Sequence, residues 1–468
     1  RDRGPAPAAS SVEVVVRGMT GAAVLGPVAV RGDAAVADLK DQIRSRRPGQ
    51  GVRLLHGCRE AADDDTLGSL GGGRDRLELT AVLTKTYAVL AWGEERHGGA
   101  LTAPGTGALE LFNSTGAFAV LREGGQVATW GHPAYGGDSS RSARDLAGGV
   151  RSICAGKNAF AALKDDGSVV AWGNARFGGT VGGQAAKELA SGVVSVCSSG
   201  EAFAALKASG SVVSWGHAVF GGDSSATGHE LASGVVAVSS TGFSFAALKS
   251  AGSVVTWGLA GQGGDSSAVA PRLRAGVAGV VGNHTAFAAL RADGSVVAWG
   301  NGECGGDAGS AAAELAGGVA EVFGHGAAFA ALKRDGRVVT WGREAAREMV
   351  EDMARRGGGE ARTLSAGGAR ARVLPDGSVE HQGARIAGTN GLDAVASQLV
   401  GVERIFSTSG AFAALRKDGS VITWGNDEVG GRPSGELAAR LSTGVVQVRN
   451  TGWAFAALKD ICLERTPD

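Results

Sequence analysis

The phrase GSVVAWG at residues 167–173 returns as GSVVSWG ending at Gly216, GSVVTWG at Gly258, GSVVAWG at Gly300, GRVVTWG at Gly342 and GSVITWG at Gly425. The tryptophans Trp130, Trp172, Trp215, Trp257, Trp299 and Trp341 lie 42 or 43 residues apart. One beat then carries Gln382, in GSVEHQG, before the register resumes at Trp424. A fixed period of this length marks a chain that folds by stacking copies of one small unit, because a single copy cannot bury its own apolar face.

Ahead of each phrase runs AFAALK or a close variant, with Phe118, Phe160, Phe203, Phe245, Phe287, Phe329, Phe412 and Phe455 in one phase. A tight turn such as KDDG or RADG separates the two runs, and an apolar run, a Gly-bearing turn and a Val-rich run make an antiparallel hairpin. A short strand precedes it, GVVSV at 192–196 and its copies, so each unit of about 42 residues is expected to be a three-stranded sheet. Stacking hides the Phe and Trp rings, each worth up to about 4–6 kcal/mol of burial. The Ala-rich strand is expected nearest the axis of a ring, where large side chains would collide.

The two ends of the repeat complement each other. Residues 86–93, TYAVLAWG, hold a Trp-Gly strand without an AFAAL strand before it, and WAFAALK at 453–459 has no Trp-Gly strand after it. Pairing them closes a ring and removes two exposed sheet edges. The expected architecture is mostly β: a multi-bladed propeller over 84–460, with eight full repeats and one composite blade, or eight blades if the unit around Gln382 is lost. Glycine at 79 residues suits short strands joined by tight turns.

The pattern AFAALKDDGSVVAWGNARFGG resembles the repeat of the regulator of chromosome condensation family. That resemblance covers about 84–460 and implies a propeller used for protein recognition, with nucleotide exchange on a small GTPase in the founding branch. No stretch matches that branch's exchange elements residue by residue.

Residues 12–83 lie outside the repeat and read as β, β, helix, β, β, behind a flexible tail at 1–11; a second tail is expected at 461–468. The helix is expected to start with Asp33 as N-cap and to place Val36, Leu39 and Ile43 on one face. The phrases MTG, VRLLHG, DDTLGSL and LEL resemble ubiquitin, so a small α+β ubiquitin-like (β-grasp) domain is expected. The resemblance implies a binding patch at Met19, Leu55 and Thr80 with His56 beside them; equally, these residues suit the sheet alone.

Further candidates come from the repeat. Asp138, Asp223, Asp265 and Asp307 follow Gly-Gly in one phase and would form a polar ring on one rim able to meet a cation or backbone amides, while the same residues also build turns. The run REAAREMVEDMARRGGGEAR replaces the usual turn after Trp341; it is helix-compatible and offers Arg347, Met349, Val350 and Met353 as a partner-binding stripe or marks a degenerate blade. His132 and His217 share a phase and a rim. Cys154 and Cys197 share a phase on a strand, as small buried thiols.

Lys plus Arg equals Asp plus Glu at 46 each, so no global field draws nucleic acid or an anionic membrane. The five cysteines are scattered and never form a Cys-x-x-Cys pair, which speaks against a disulfide framework or a zinc site. No phosphate loop, nucleophile elbow or zincin motif occurs. The expectation is a non-enzymatic, monomeric scaffold of cytoplasm or nucleus, without cofactor or metal, that binds other proteins, ubiquitin receptors among them. The alternatives are an exchange factor for a small GTPase and a non-catalytic relative of HECT-type ubiquitin ligases.

Overall fold

The computed structural model describes residues 11–460 except 19–22, 32, 48–49, 57–58, 62, 72–75, 102–106, 345–362, 367–368, 375 and 384–394. The chain is mostly β, as the repeat implies. Seven separate three-stranded antiparallel sheets run along it, and a six-stranded sheet is two more such units joined at the single pair Tyr87–Ala108. Among the described residues this makes nine blades. Blades 1 to 8 occupy 108–131, 150–173, 193–216, 235–258, 277–300, 319–342, 363–383 and 402–425. Blade 9 joins Val445–Asn450 and Ala454–Asp460 to Tyr87–Gly93 from the other end of the chain, with Phe455 opposite Trp92.

The aromatic pair is the unit of stacking. In every blade but the seventh, Phe and Trp are cross-strand partners with rings 5.2–5.3 Å apart, from Phe118–Trp130 to Phe412–Trp424 and Trp92–Phe455. They project towards the preceding blade, where small alanines receive them: Phe203 and Trp215 pack on Ala159 and Ala161. The indole N–H then donates to a glycine carbonyl of that blade, as from Trp172 to Gly136 and from Trp215 to Gly178, both at 3.1 Å. Aromatic bulk on one face and alanine on the other let one copy dock on the next.

That packing corrects the expected place of the AFAAL strand. It is the middle strand of each blade, not the one nearest the axis. The first strands approach one another across neighbouring blades: Ser239 Oγ donates to Val280 O and Asn113 Nδ2 to Asn450 O, each at 2.7 Å. Alanine is required in the middle strand by the neighbour's rings, and not by crowding at the axis.

Blade 7 shows what the degraded phrase does. Arg370 pairs with Gln382 where Phe pairs with Trp elsewhere. Its other face is intact, since Ala371 and Val373 receive Phe412 and Trp424 of blade 8.

The N-terminal module is a five-stranded sheet of order β2-β1-β5-β3-β4. It comprises β1 (Ser11–Gly18), β2 (Ala23–Arg31), β3 (Gln50–His56), β4 (Arg59–Glu60) and β5 (Arg76–Lys85), with β1 and β5 parallel. Helix α1 (Val36–Arg46) buries Val36, Leu39 and Ile43 against Val14, Val52, Leu54 and Leu79. The N-cap is Ala35, with the Asp38 carboxylate accepting its N–H at 3.2 Å. Asp33 instead accepts from Arg31 at 2.7 Å, two residues too early to cap the first turn.

Only Thr86, itself buried, separates β5 from the closing strand of blade 9. The junction is braced from both sides. The Glu123 carboxylate in the hairpin of blade 1 accepts from Arg44 Nη2 of α1 at 2.9 Å and from the N–H of Val52 in β3. Lys85 pairs with Asp460 at 2.6 Å.

Candidate protein-binding faces

The ring has two unlike ends. At one, the hairpin turns between middle and third strands carry Asp-Gly signals; Asp293 accepts from Ser295 N–H at 2.9 Å and Oγ at 2.6 Å, and Asp418 from Ser420 at 3.0 and 2.6 Å. These donors, the serine hydroxyl foremost, hold both carboxyls below the usual carboxylate range. The N-terminal module docks at this end through Glu123.

At the other end, the turn into each middle strand lies beside the loop that leaves the Trp-Gly strand. The turns are stitched from blade to blade by backbone bonds, Gly452 N to Thr115 O, Thr115 N to Lys157 O, Gly242 N to His284 O and His284 N to Gly326 O, at 2.8–3.0 Å. A repeated side-chain bond secures each loop: Ser114 Oγ reaches Tyr135 O at 2.8 Å, Ser199 Oγ reaches Phe220 O at 2.7 Å, and Asn283 Nδ2 reaches Cys304 O at 2.6 Å. The loop ends in glycine at positive φ, Gly178 at +92° for instance, and a Cβ there would stand 2.7 Å from the Phe203 ring.

This rigid end presents aromatic and imidazole rings that are half-buried, or in the case of His284 exposed, rather than buried. His97 stacks on Trp453 at 4.2 Å and on His132 at 5.2 Å, with Tyr135 edge-on to His132. A second run links Phe177, His217, Phe220, Phe243 and His284 with successive separations of 5.8, 4.6, 5.5 and 5.2 Å. Lys157 Nζ sits 4.7 Å over Phe243, and Arg176 Nη2 lies 3.3 Å from His217 Nε2. Burial, aided by Lys157, depresses the His284 pKa. His132 and His217 do share this end, in separate clusters.

The other sequence candidates fall as follows. Leu55 and Thr80 are direct partners on β3 and β5, on the face away from α1; His56 follows, exposed. Met19, Arg347, Met349, Val350 and Met353 lie outside the described residues. Asp138, Asp223, Asp265 and Asp307 each accept the N–H two residues on at 2.8–2.9 Å, which is the Asx-turn geometry. They are exposed on four different blades, and among the described residues no group of three or more His, Cys, Asp or Glu could hold a metal ion. Asp223 and Asp265 line one open groove of about 840 Å³ between blades 3 and 4. Burial pushes the Cys154 thiol up to about 12 and Cys197 higher still. Among the described helices none is long and apolar enough to cross a membrane.

Apart from His132 and His217, the rings at the loop end are not among the residues singled out from the sequence. They were present in it: His97, Tyr135, Phe177 and Phe220 each stand five residues after a blade tryptophan, and Trp453 and Phe243 each stand just ahead of a middle strand.

Three-stranded blades, stacked through a repeated aromatic pair and closed by strands from both ends of the repeat, define a β-propeller. Its repeat is of the regulator of chromosome condensation (RCC1) type, whose family model matches residues 150–178, all three strands of blade 2 and the turn that follows. No curated protein matches the chain.

Among solved structures, Prp20p from Saccharomyces cerevisiae, described with its binding to Gsp1p and histones, is 14% identical over 80% of this chain and 91% of its own, with a TM-score of 0.36. Human WBSCR16 is 17% identical over 80% and 99%, at 0.33. The CRINKLY WD40 ectodomain of the Arabidopsis thaliana receptor kinase ACR4 is 16% identical over 50% and 79%, also at 0.33. The fold assignment rests on the strand pairings and the repeat, independently of these likenesses.

Proposed function

We propose that the chain is a non-catalytic scaffold that holds one protein on the loop end of its propeller and engages the ubiquitin system through its N-terminal module. The observation that carries this reading is the placement of two surfaces at opposite ends of one rigid ring. Glu123 and the junction at Thr86 fix the module at the hairpin end, which leaves the rings from Trp453 to His284 open at the other. Aromatic rings held on a stiff frame supply contact area at little entropic cost, which is what a protein-binding surface needs.

The sheet order β2-β1-β5-β3-β4 and the paired Leu55 and Thr80 support the ubiquitin-like half. With the full chain immobilised, a ubiquitin-associated domain is expected to bind in the micromolar range, and Leu55→Arg to weaken it by at least tenfold. No binding of the wild-type chain removes this half of the proposal.

A small GTPase as the propeller's partner is the alternative suggested by the RCC1-type repeat. Nucleotide release from a panel of small GTPases decides between them. A scaffold leaves the rate unchanged, and an exchange factor raises it by orders of magnitude.

A further inference from the structure

At the loop end, where blades 4, 5 and 6 meet, lies an open pocket of about 560 Å³, with room for one large side chain and its adjoining backbone. Its walls include Phe243, Leu259 and Ala327, and its polar groups are few and distinct. Thr285 is 8% exposed, and its Oγ1 makes no hydrogen bond. Gln262 Oε1 is likewise buried without a donor. Arg343 stands at the mouth, 58% exposed, holding only a long contact of 3.6 Å to Glu303.

The unpartnered groups stand out against their surroundings. The neighbouring position of the repeat is satisfied in blade after blade, by Ser114, Ser199, Thr241 and Thr408 on loop carbonyls. In blade 5 itself Asn283 makes that bond and also accepts from the N–H groups of Thr285 and Ala286 at 2.9 and 2.8 Å. The floor is therefore rigid, and a buried acceptor and a buried hydroxyl beside it have no hydrogen-bond partner. Leaving such groups without a partner is unfavourable, and a ligand carrying an N–H would relieve it.

We propose that this cavity binds the C-terminal residue of a partner polypeptide: an apolar side chain against Phe243 and Leu259, its amide N–H on Gln262 Oε1, its terminal carboxylate on the Arg343 guanidinium. A chain terminus is the peptide feature that brings these three groups within one residue's reach. The exposed Arg343–Glu303 contact exchanges for a carboxylate at small cost, because exposed pairs contribute little, and a guanidinium binds a carboxylate through two parallel bonds. The proposal rests on the reading of the propeller as protein-binding, and names the partner's chemistry.

The test is fluorescence anisotropy of the full chain with labelled pentapeptides ending in Leu, Phe or Trp, as free acids and as amides. At least one free acid is expected to bind, with amidation and Arg343→Gln each weakening it about tenfold and Gln262→Leu several-fold. Equal binding of acid and amide, indifference to Arg343→Gln, or no binding by any of the peptides overturns the proposal. If the peptides fail while the full chain still captures a partner through the aromatic rings, the cavity assignment falls and the scaffold reading stands.

Discussion

Gly178 is required twice over. Its φ of +92° is costly for any residue with a Cβ, and that Cβ would press on the ring of Phe203 in the next blade. Gly178→Ala is expected to destabilise by about 2–4 kcal/mol, and Phe203→Ala, which empties the space over Ala159 and Ala161, by about 3–5 kcal/mol; denaturant midpoints check both. The aspartates of the hairpin turns bear on pH. Asp293 and Asp418 titrate lower folded than unfolded, so their contribution is present above the unfolded value near pH 4 and is lost as the pH falls through the folded one. The melting temperature of the double variant Asp293→Asn, Asp418→Asn is therefore expected to fall less steeply than wild type between pH 5 and 3. Other residues were less legible: Asp33 has a capping side chain and the right neighbourhood, yet Ala35 caps because the chain bridges to Thr66 before the helix begins.

Among the elements, the blade and the module follow different logics. A blade is one hairpin with a strand added, and its stability comes from the next blade's rings, which is why blade 7 keeps Ala371 and Val373 while its Phe and Trp positions hold Arg370 and Gln382. The module has a core of its own but is gripped at Glu123. Glu123→Ala is expected to raise hydrogen exchange at the Val52 amide by about tenfold or more, with the amides of blade 2 unchanged. Exchange mass spectrometry reads this directly, and equal protection in the two proteins would show that the grip is incidental.

For the whole molecule, closure is the decisive event. The strand Ala454–Asp460 covers the strand from Tyr87 to Gly93, so a chain ending at residue 453 leaves two sheet edges open and is expected to aggregate on size-exclusion chromatography. The period, the three strands of each unit and the complementarity of the two ends were written in the order of residues, because an aromatic pair that must meet its neighbour's alanines returns with the backbone. Three things waited on the tertiary structure: which strand lines the axis, where the module sits, and which rings share the loop end. Trp453 meets His97 only once the ring has closed, and Thr285 becomes an unpartnered hydroxyl only where three blades converge. Contacts made by closure join residues that no local pattern relates.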